Sequence, residues 1–159
     1  MKKIAICPGS FDPVTKGHMD IIKRASKMFD KLYVAVSSNS SKVASFSIEE
    51  RMQMLKKCTA DIKNIEVCTF DGLLAEYAKT VGAIALVRGL RAVTDFEYEF
   101  QMSLTNKKIN KDLETVFLTT NSKYMYLSSS IVKEIARNNG DISDFVPPVV
   151  LLDIEKRLK

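Results

Sequence analysis

The chain has 159 residues, of which 46% are hydrophobic and 27% charged. That is the composition of a soluble globular domain, and it excludes a disordered tail, a collagen-like fibre and a low-complexity linker. Twenty-four Lys and Arg against nineteen Asp and Glu leave a net charge of +5, which favours anionic partners without naming one.

A domain of this length buries roughly 68–70% of the surface its unfolded chain exposes, enough for a core without staples. Cys7, Cys58 and Cys68 are odd in number and lack C-x-x-C spacing, so neither a disulfide framework nor a zinc site is expected. Reduced thiols fit an intracellular setting. After Met1-Lys2-Lys3 only Ile4 to Cys7 precede the breaker Pro8-Gly9, too short an apolar stretch for a signal core. No stretch has membrane-spanning length, and a cytoplasmic protein without a membrane partner is expected.

In chain order, the first apolar run, Lys3–Cys7, reads as a strand, and Ile22, Ala25 and Met28 stripe the helix after it. The second run, Leu32–Val36, precedes a helix striped by Ile48, Met52 and Leu55, whose start carries the Ser47/Glu50 capping-box spacing. Ile65–Cys68 follows, then Leu73, Leu74, Tyr77, Ala78 and Val81 at helical spacing, closed by Gly82. Ile84–Val87 leads to a helix with Phe96, Phe100 and Leu104 on one stripe and a second capping-box spacing, Thr94/Glu97. The last strand, Thr115–Thr119, precedes a helix lined by Ile131, Ile135 and Ala136 that turns over at Gly140, and Pro147-Pro148 opens a final helix, Val149–Leu158. The strand runs are nearly continuous rather than alternating, as in a parallel sheet covered on both faces. Five β-α repeats give a single domain, 1–159, of the α/β class: a doubly wound, five-stranded parallel sheet.

In such sheets ligands bind beyond the carboxyl ends of the strands, so the segments after each run are the ones to inspect. After the first comes Pro8-Gly9-Ser10-Phe11-Asp12-Pro13-Val14-Thr15-Lys16-Gly17-His18, which offers a hydroxyl, the chain's one histidine and the free amides of a helix start. It is neither a Walker A loop nor G-x-G-x-x-G. After the fourth comes Arg88-Gly89-Leu90-Arg91. Its guanidinium groups suit phosphate, although Asp95, Glu97 and Glu99 are available carboxylate partners. After the fifth, Tyr124-Met125-Tyr126-Leu127-Ser128-Ser129-Ser130 opens a helix with hydroxyl and amide donors. With Lys42 beyond the second strand, these loops describe a site for a highly anionic ligand, a nucleotide by preference.

Ser10-Phe11-Asp12-Pro13 with Thr15-x-Gly17-His18 resembles the nucleotidyltransferase signature G-[ST]-F-D-P…T-x-G-H. Together with Arg88-Gly89-Leu90-Arg91, Asp95-Phe96-Glu97-Tyr98-Glu99 and Ser128-Ser129-Ser130-Ile131-Val132-Lys133-Glu134, the whole chain is similar to the bacterial phosphopantetheine adenylyltransferases. The resemblance implies a Rossmann-like nucleotidyltransferase fold and adenylyl transfer from ATP to 4′-phosphopantetheine, giving 3′-dephospho-coenzyme A and pyrophosphate. It implies Mg2+ carried by substrate phosphates rather than by protein ligands, and a homohexamer built as a dimer of trimers. By matching positions, ATP falls to Ser10, Phe11, His18, Gly89, Leu90, Arg91, Glu99, Tyr124, Met125, Tyr126, Leu127, Ser128, Ser129 and Ser130. The acceptor falls to Ser10, Lys42, Leu74, Arg88 and Asn106. His18 is the implied transition-state stabiliser, with Ser10, Lys42 and Arg91 beside it. Ser10 stands where some members carry Thr, which keeps the hydroxyl.

The acceptor phosphate is ionised at neutral pH, so direct in-line attack needs alignment and charge neutralisation rather than a base or a covalent intermediate. Competing readings are another transferase of this fold, acting on nicotinamide mononucleotide or glycerol phosphate, a non-catalytic nucleotide-binding module, and a nucleic-acid-binding domain. The Arg88–Glu99 block argues against the other transferases. Every expected catalytic position is filled, which argues against the module, and no RNP motif, zinc knuckle or continuous basic stripe supports a nucleic-acid partner.

Overall fold

The computed structural model describes residues 1–38 and 43–159. Five strands, β1 (Ile4–Gly9), β2 (Lys31–Ser37), β3 (Ile65–Phe70), β4 (Ala85–Leu90) and β5 (Glu114–Thr119), alternate with α1 (Lys16–Ser26), α2 (Ile48–Thr59), α3 (Leu74–Val81), α4 (Val93–Ile109) and α5 (Ser129–Arg137). Single 3-10 turns, Ser122–Tyr124 and Pro148–Val150, lead into α5 and into a last helix, α6 (Leu151–Leu158). The strands form one parallel sheet in the order β3-β2-β1-β4-β5. No helix among the described residues is long and apolar enough to cross a membrane.

Strand alternation divides the core in two. Ala5, Cys7, Val34, Val36 and Val87 face one layer and pack with Ile22, Leu55, Val132 and Ile154 from α1, α2, α5 and α6. Ile6, Ala35 and Leu86 face the other, against Ala75 and Ala78 of α3 and Leu113. This is the doubly wound arrangement that the repeats predict. Only β1, β2 and β4 are buried on both faces; β3 and β5 are the sheet edges and are largely half-buried.

Several boundaries differ from the sequence reading. β1 continues through Pro8 and Gly9, and β4 through Arg88, Gly89 and Leu90, so these residues belong to strand ends rather than loops. Ser47 and Glu50 form the expected capping box, but α4 starts at Val93 with Ala92 as its cap residue and no side-chain cap, so Thr94 is already inside the helix. Gly82 closes α3 in the left-handed conformation, φ 67°. After α5 that conformation is taken by Asn139, φ 59°, while Gly140 is needed for contact: a Cβ there would lie 2.5 Å from Ile135. Met28 and Leu73 lie outside their helices and are exposed, and Val132 is fully buried in α5 where Ile131 is partly exposed.

The largest departure is α4. Phe96, Phe100 and Leu104 form one apolar stripe, yet they stay out of the core and are 43%, 48% and 58% exposed. Among the described side chains of this helix the buried ones are polar: Glu99 and Asn106, two turns apart on one side. Phe96 stacks on Phe100 and meets Phe117 of β5 edge-on, so the outward apolar side is continuous with the edge of the sheet.

Candidate active site

Strand order reverses between β1 and β4, and two cavities open at their carboxyl ends. One, of about 320 Å3, lies over the α1 side and is lined by Ser10, Phe11, His18, Gly89, Arg91 and Leu127 among others. The second, of about 290 Å3, lies over α3 and α4 and is lined by Leu74, Tyr98, Met102 and Asn106. Pro8, Gly9, Ser10, Arg88 and Glu99 line both, so the cavities meet along the ends of β1 and β4.

His18 is set by the way α1 begins. Thr15 caps the helix: its Oγ accepts from the His18 N–H at 3.2 Å, and its own N–H donates to His18 Nδ1 at 3.0 Å. This is a capping box with histidine in the place usually held by Glu or Gln. A backbone N–H can only donate, so Nδ1 must carry a lone pair, and the neutral ring keeps its proton on Nε2. Burial, then the charges of Arg88 and Arg91, push the imidazole pKa down to about 4. His18 is therefore an uncharged donor through Nε2, braced by the edge of the Phe11 ring at 5.1 Å.

Arg88 projects from β4, and its Nε and Nη2 donate to the two oxygens of Glu99 at 2.8 and 2.6 Å. Its Nη1 donates to the Pro8 carbonyl at 2.8 Å, which binds β4 to the end of β1. Burial disfavours the cation, but the Glu99 carboxylate outweighs it and the guanidinium is held more firmly protonated than usual. Five N–H groups less three leaves one on each terminal nitrogen. Arg91 is also paired: its backbone N–H, Nε and Nη2 reach the Asp95 carboxylate, and Nη1 donates to the Leu127 carbonyl at 3.2 Å. Burial raises the Asp95 pKa, but hydrogen bonds and charge from Arg91 prevail and leave it lowered. The carboxylate-bridging alternative thus describes both arginines, and each also holds a backbone carbonyl, of Pro8 in β1 and of Leu127 before α5.

Gly89 lets β4 approach α1, since a Cβ would lie 2.9 Å from Ile21. Tyr124, Leu127, Ser128 and Ser129 reach the first cavity. Ser128 caps α5, its Oγ accepting from Ile131 N–H, and the Ser129 hydroxyl donates to the Pro13 carbonyl at 2.8 Å. Leu90, Met125, Tyr126 and Ser130 are not among the lining residues of either cavity, Met125 and Tyr126 being more than half exposed. Lys42 lies outside the described residues. Sequence reading missed Thr120 and Ile21 in the first cavity and Tyr98, Met102 and Ser103 in the second. The Thr15-x-x-His18 spacing was the available sign of the His18 brace.

The carboxylates lining the first cavity are Asp95 and Glu99, each committed to an arginine. No cluster of three or more His, Cys, Asp or Glu among the described residues could hold a metal ion. This donor set suits a divalent ion that arrives on phosphate oxygens.

The cytidylyltransferase-like family model matches residues 6–135, from β1 through most of α5. A phosphopantetheine adenylyltransferase from Caldanaerobacter subterraneus subsp. tengcongensis is 59% identical over 157 residues, covering 99% of this chain and 98% of that protein. A crystal structure described as a nicotinate-nucleotide adenylyltransferase, from Vibrio parahaemolyticus, superposes with a TM-score of 0.70 over 99% of this chain and 95% of its own. At 20% identity that likeness speaks for the fold alone. By a family match over most of its length and a relative alike across nearly all of it, the chain belongs to the cytidylyltransferase-like nucleotidyltransferases and, among them, to the phosphopantetheine adenylyltransferase family.

Proposed function

We propose that the protein transfers the adenylyl group of ATP to 4′-phosphopantetheine, releasing pyrophosphate and 3′-dephospho-coenzyme A. The observation that carries this reading is the meeting of two cavities on Ser10 and Arg88, one suited to a nucleotide and one to a long, partly apolar acceptor. An acceptor phosphate oxygen forms the new bond to the α-phosphorus while the bond from that phosphorus to the bridging oxygen breaks. The electron pair leaves with pyrophosphate, and no proton need be removed from the nucleophile.

In this reading ATP lies in the first cavity, against Phe11, Gly89–Arg91 and the 124–130 segment. His18 donates Nε2–H to the α-phosphoryl oxygens, with the Ser10 hydroxyl beside it. A neutral donor suits this place because it stabilises charge as charge develops and needs no proton of its own to be replaced. Arg88 offers its two remaining N–H groups, with Lys42, to the acceptor phosphate, while Leu74 and Asn106 border the pantetheine arm. Glu99 acts through Arg88. Arg91 assists the departing pyrophosphate. Magnesium comes as part of the nucleotide substrate and supplies charge neutralisation.

The same reading includes a homohexamer, a dimer of trimers, and a cytoplasmic enzyme. The exposed apolar side of α4 supports self-association, since a soluble chain rarely leaves such a stripe uncovered. The purified protein with MgATP and 4′-phosphopantetheine should form 3′-dephospho-coenzyme A and pyrophosphate in equal amounts. Preference for nicotinamide mononucleotide, or for CTP with glycerol phosphate, would refute the proposal.

A further inference from the structure

The first loop contains a buried carboxylate that the reaction does not use. Asp12 is 7% exposed and lines neither cavity. Its Oδ1 accepts from the backbone N–H of Phe46 at 2.9 Å, and both its oxygens lie within 3.1 Å of the Ser45 nitrogen. Oδ2 also receives Nζ of Lys133, on α5, at 2.9 Å. One side chain thus joins three parts of the fold: the loop bearing Ser10 and Phe11, the chain leading into α2, and the helix that starts at Ser129.

The neighbouring contacts reinforce that junction. Arg51 of α2, itself only 4% exposed, donates Nη1 to the Ser10 carbonyl at 2.9 Å and Nε to the Ser47 carbonyl at 3.3 Å. Arg137 of α5 donates to Ser45 Oγ at 2.9 Å, and Arg157 of α6 to the Ser45 carbonyl at 3.2 Å. The Ser129 hydroxyl closes the circuit on the Pro13 carbonyl. Ser45 is therefore held through its N–H, its hydroxyl and its carbonyl by three different side chains.

We infer that the Asp12–Lys133 pair is a positioning device for the transfer: it fixes the nucleotide loop against the chain at Ser45 and Phe46 that enters α2, so that the two substrates meeting at Ser10 are aligned for in-line attack. The inference rests on the proposed adenylyl transfer. A largely buried ion pair such as this one is weak evidence for added stability, because desolvation offsets much of the attraction, and fixing one arrangement is its better-attested use. Neither residue reaches the reacting atoms, so the effect runs through the backbone at Ser10 and Ser45. Small displacements of reactants held near attack distance can cost 10²-fold in rate.

The test compares Lys133→Met, Lys133→Arg and Asp12→Asn with the unaltered chain, using MgATP and 4′-phosphopantetheine and correcting each rate for folded protein by circular dichroism. Lys133→Met should lower kcat at least ~10-fold and raise KM for the acceptor more than KM for ATP. Lys133→Arg, which keeps the cation, should recover most of kcat. Asp12→Asn keeps an oxygen acceptor for the two amides but loses the charge, and it should match Lys133→Met; it carries the test alone if the methionine variant does not fold. Because the pair acts as a unit, the double variant should be no slower than either single one. Variants that lose thermal stability yet keep kcat per folded molecule within twofold would overturn the inference, as would equal losses in Lys133→Met and Lys133→Arg. Failure of the unaltered chain to make product would instead refute the proposed reaction.

Discussion

Helices α1 and α4 both supply side chains to the paired cavities, and they do so from opposite sides of the same amphipathic pattern. α1 buries its apolar residues Met19, Ile21, Ile22 and Ala25, and its chemical contribution, His18, sits at the N-terminal rim. α4 buries Glu99 and Asn106 and leaves Phe96, Phe100 and Leu104 between 43% and 58% exposed. Periodicity identifies an apolar stripe in both helices but says nothing of what the stripe packs against. In α1 the core covers it; in α4 the polar side lines the second cavity, and the apolar side is left for another surface.

The comparison can be broken at each helix. The largest effect is expected at the rim of α1. His18→Ala should reduce turnover by ~10²–10³ with the fold retained, the usual loss for one donor to a developing oxyanion. Near-normal rates in the folded variant, by pyrophosphate release, would remove His18 from the chemistry. Next comes the seam facing α4. Arg88→Ala should raise KM for the acceptor ~10-fold or more, in the range of a lost charge-assisted hydrogen bond, while KM for ATP moves less. Arg91→Ala should do the reverse, and equal losses for both substrates in each variant would erase the partition between the cavities.

A smaller catalytic effect, but a large change in mass, is expected on the outer side of α4. Phe100→Glu should shift the protein to a smaller species in sedimentation velocity with its secondary structure unchanged. An unaltered sedimentation profile would show that this stripe is not the contact between copies.

The smallest effect concerns the protonation of His18. As the chain's one histidine, it gives one imidazole signal set in 15N-edited spectra. That set should report a neutral Nε2–H ring at pH 6 that titrates near pH 4. Because this pKa lies below the ordinary 6.5, the unfolded chain takes up the proton first. The stability due to the neutral ring is therefore complete above about pH 6.5 and falls as pH drops toward 4. A midpoint near 6.5 would mean that burial and the two arginines do not control the ring.

The layer order was legible because the central strands are short, apolar and buried on both faces, while turn residues and the Ser47/Glu50 box mark several boundaries. Strand ends were less so: Pro8-Gly9 and Gly89 read as loop residues, yet the sheet ladder includes them. Ser10, His18, Arg88 and Arg91 were legible as a group because they lie at or just beyond the carboxyl ends of β1 and β4, which the topology brings together. Their brace was not. That Arg88 answers to Glu99 and Pro8, and Asp12 to Ser45, Phe46 and Lys133, depends on contacts between residues 11 to 121 positions apart, which no local pattern encodes.

The central claim is that two anion sites flank one seam with no protein nucleophile between them. Cys7, the cysteine that lines the first cavity, is buried and its thiol pKa is pushed up to about 11, which removes it as a ready thiolate. The most direct measurement is the stereochemical course at phosphorus, using ATP made chiral at the α-position by sulfur substitution, with 4′-phosphopantetheine as acceptor. A single in-line displacement predicts inversion of configuration in the 3′-dephospho-coenzyme A product. Retention, the mark of two successive displacements through an adenylylated protein, would contradict the account.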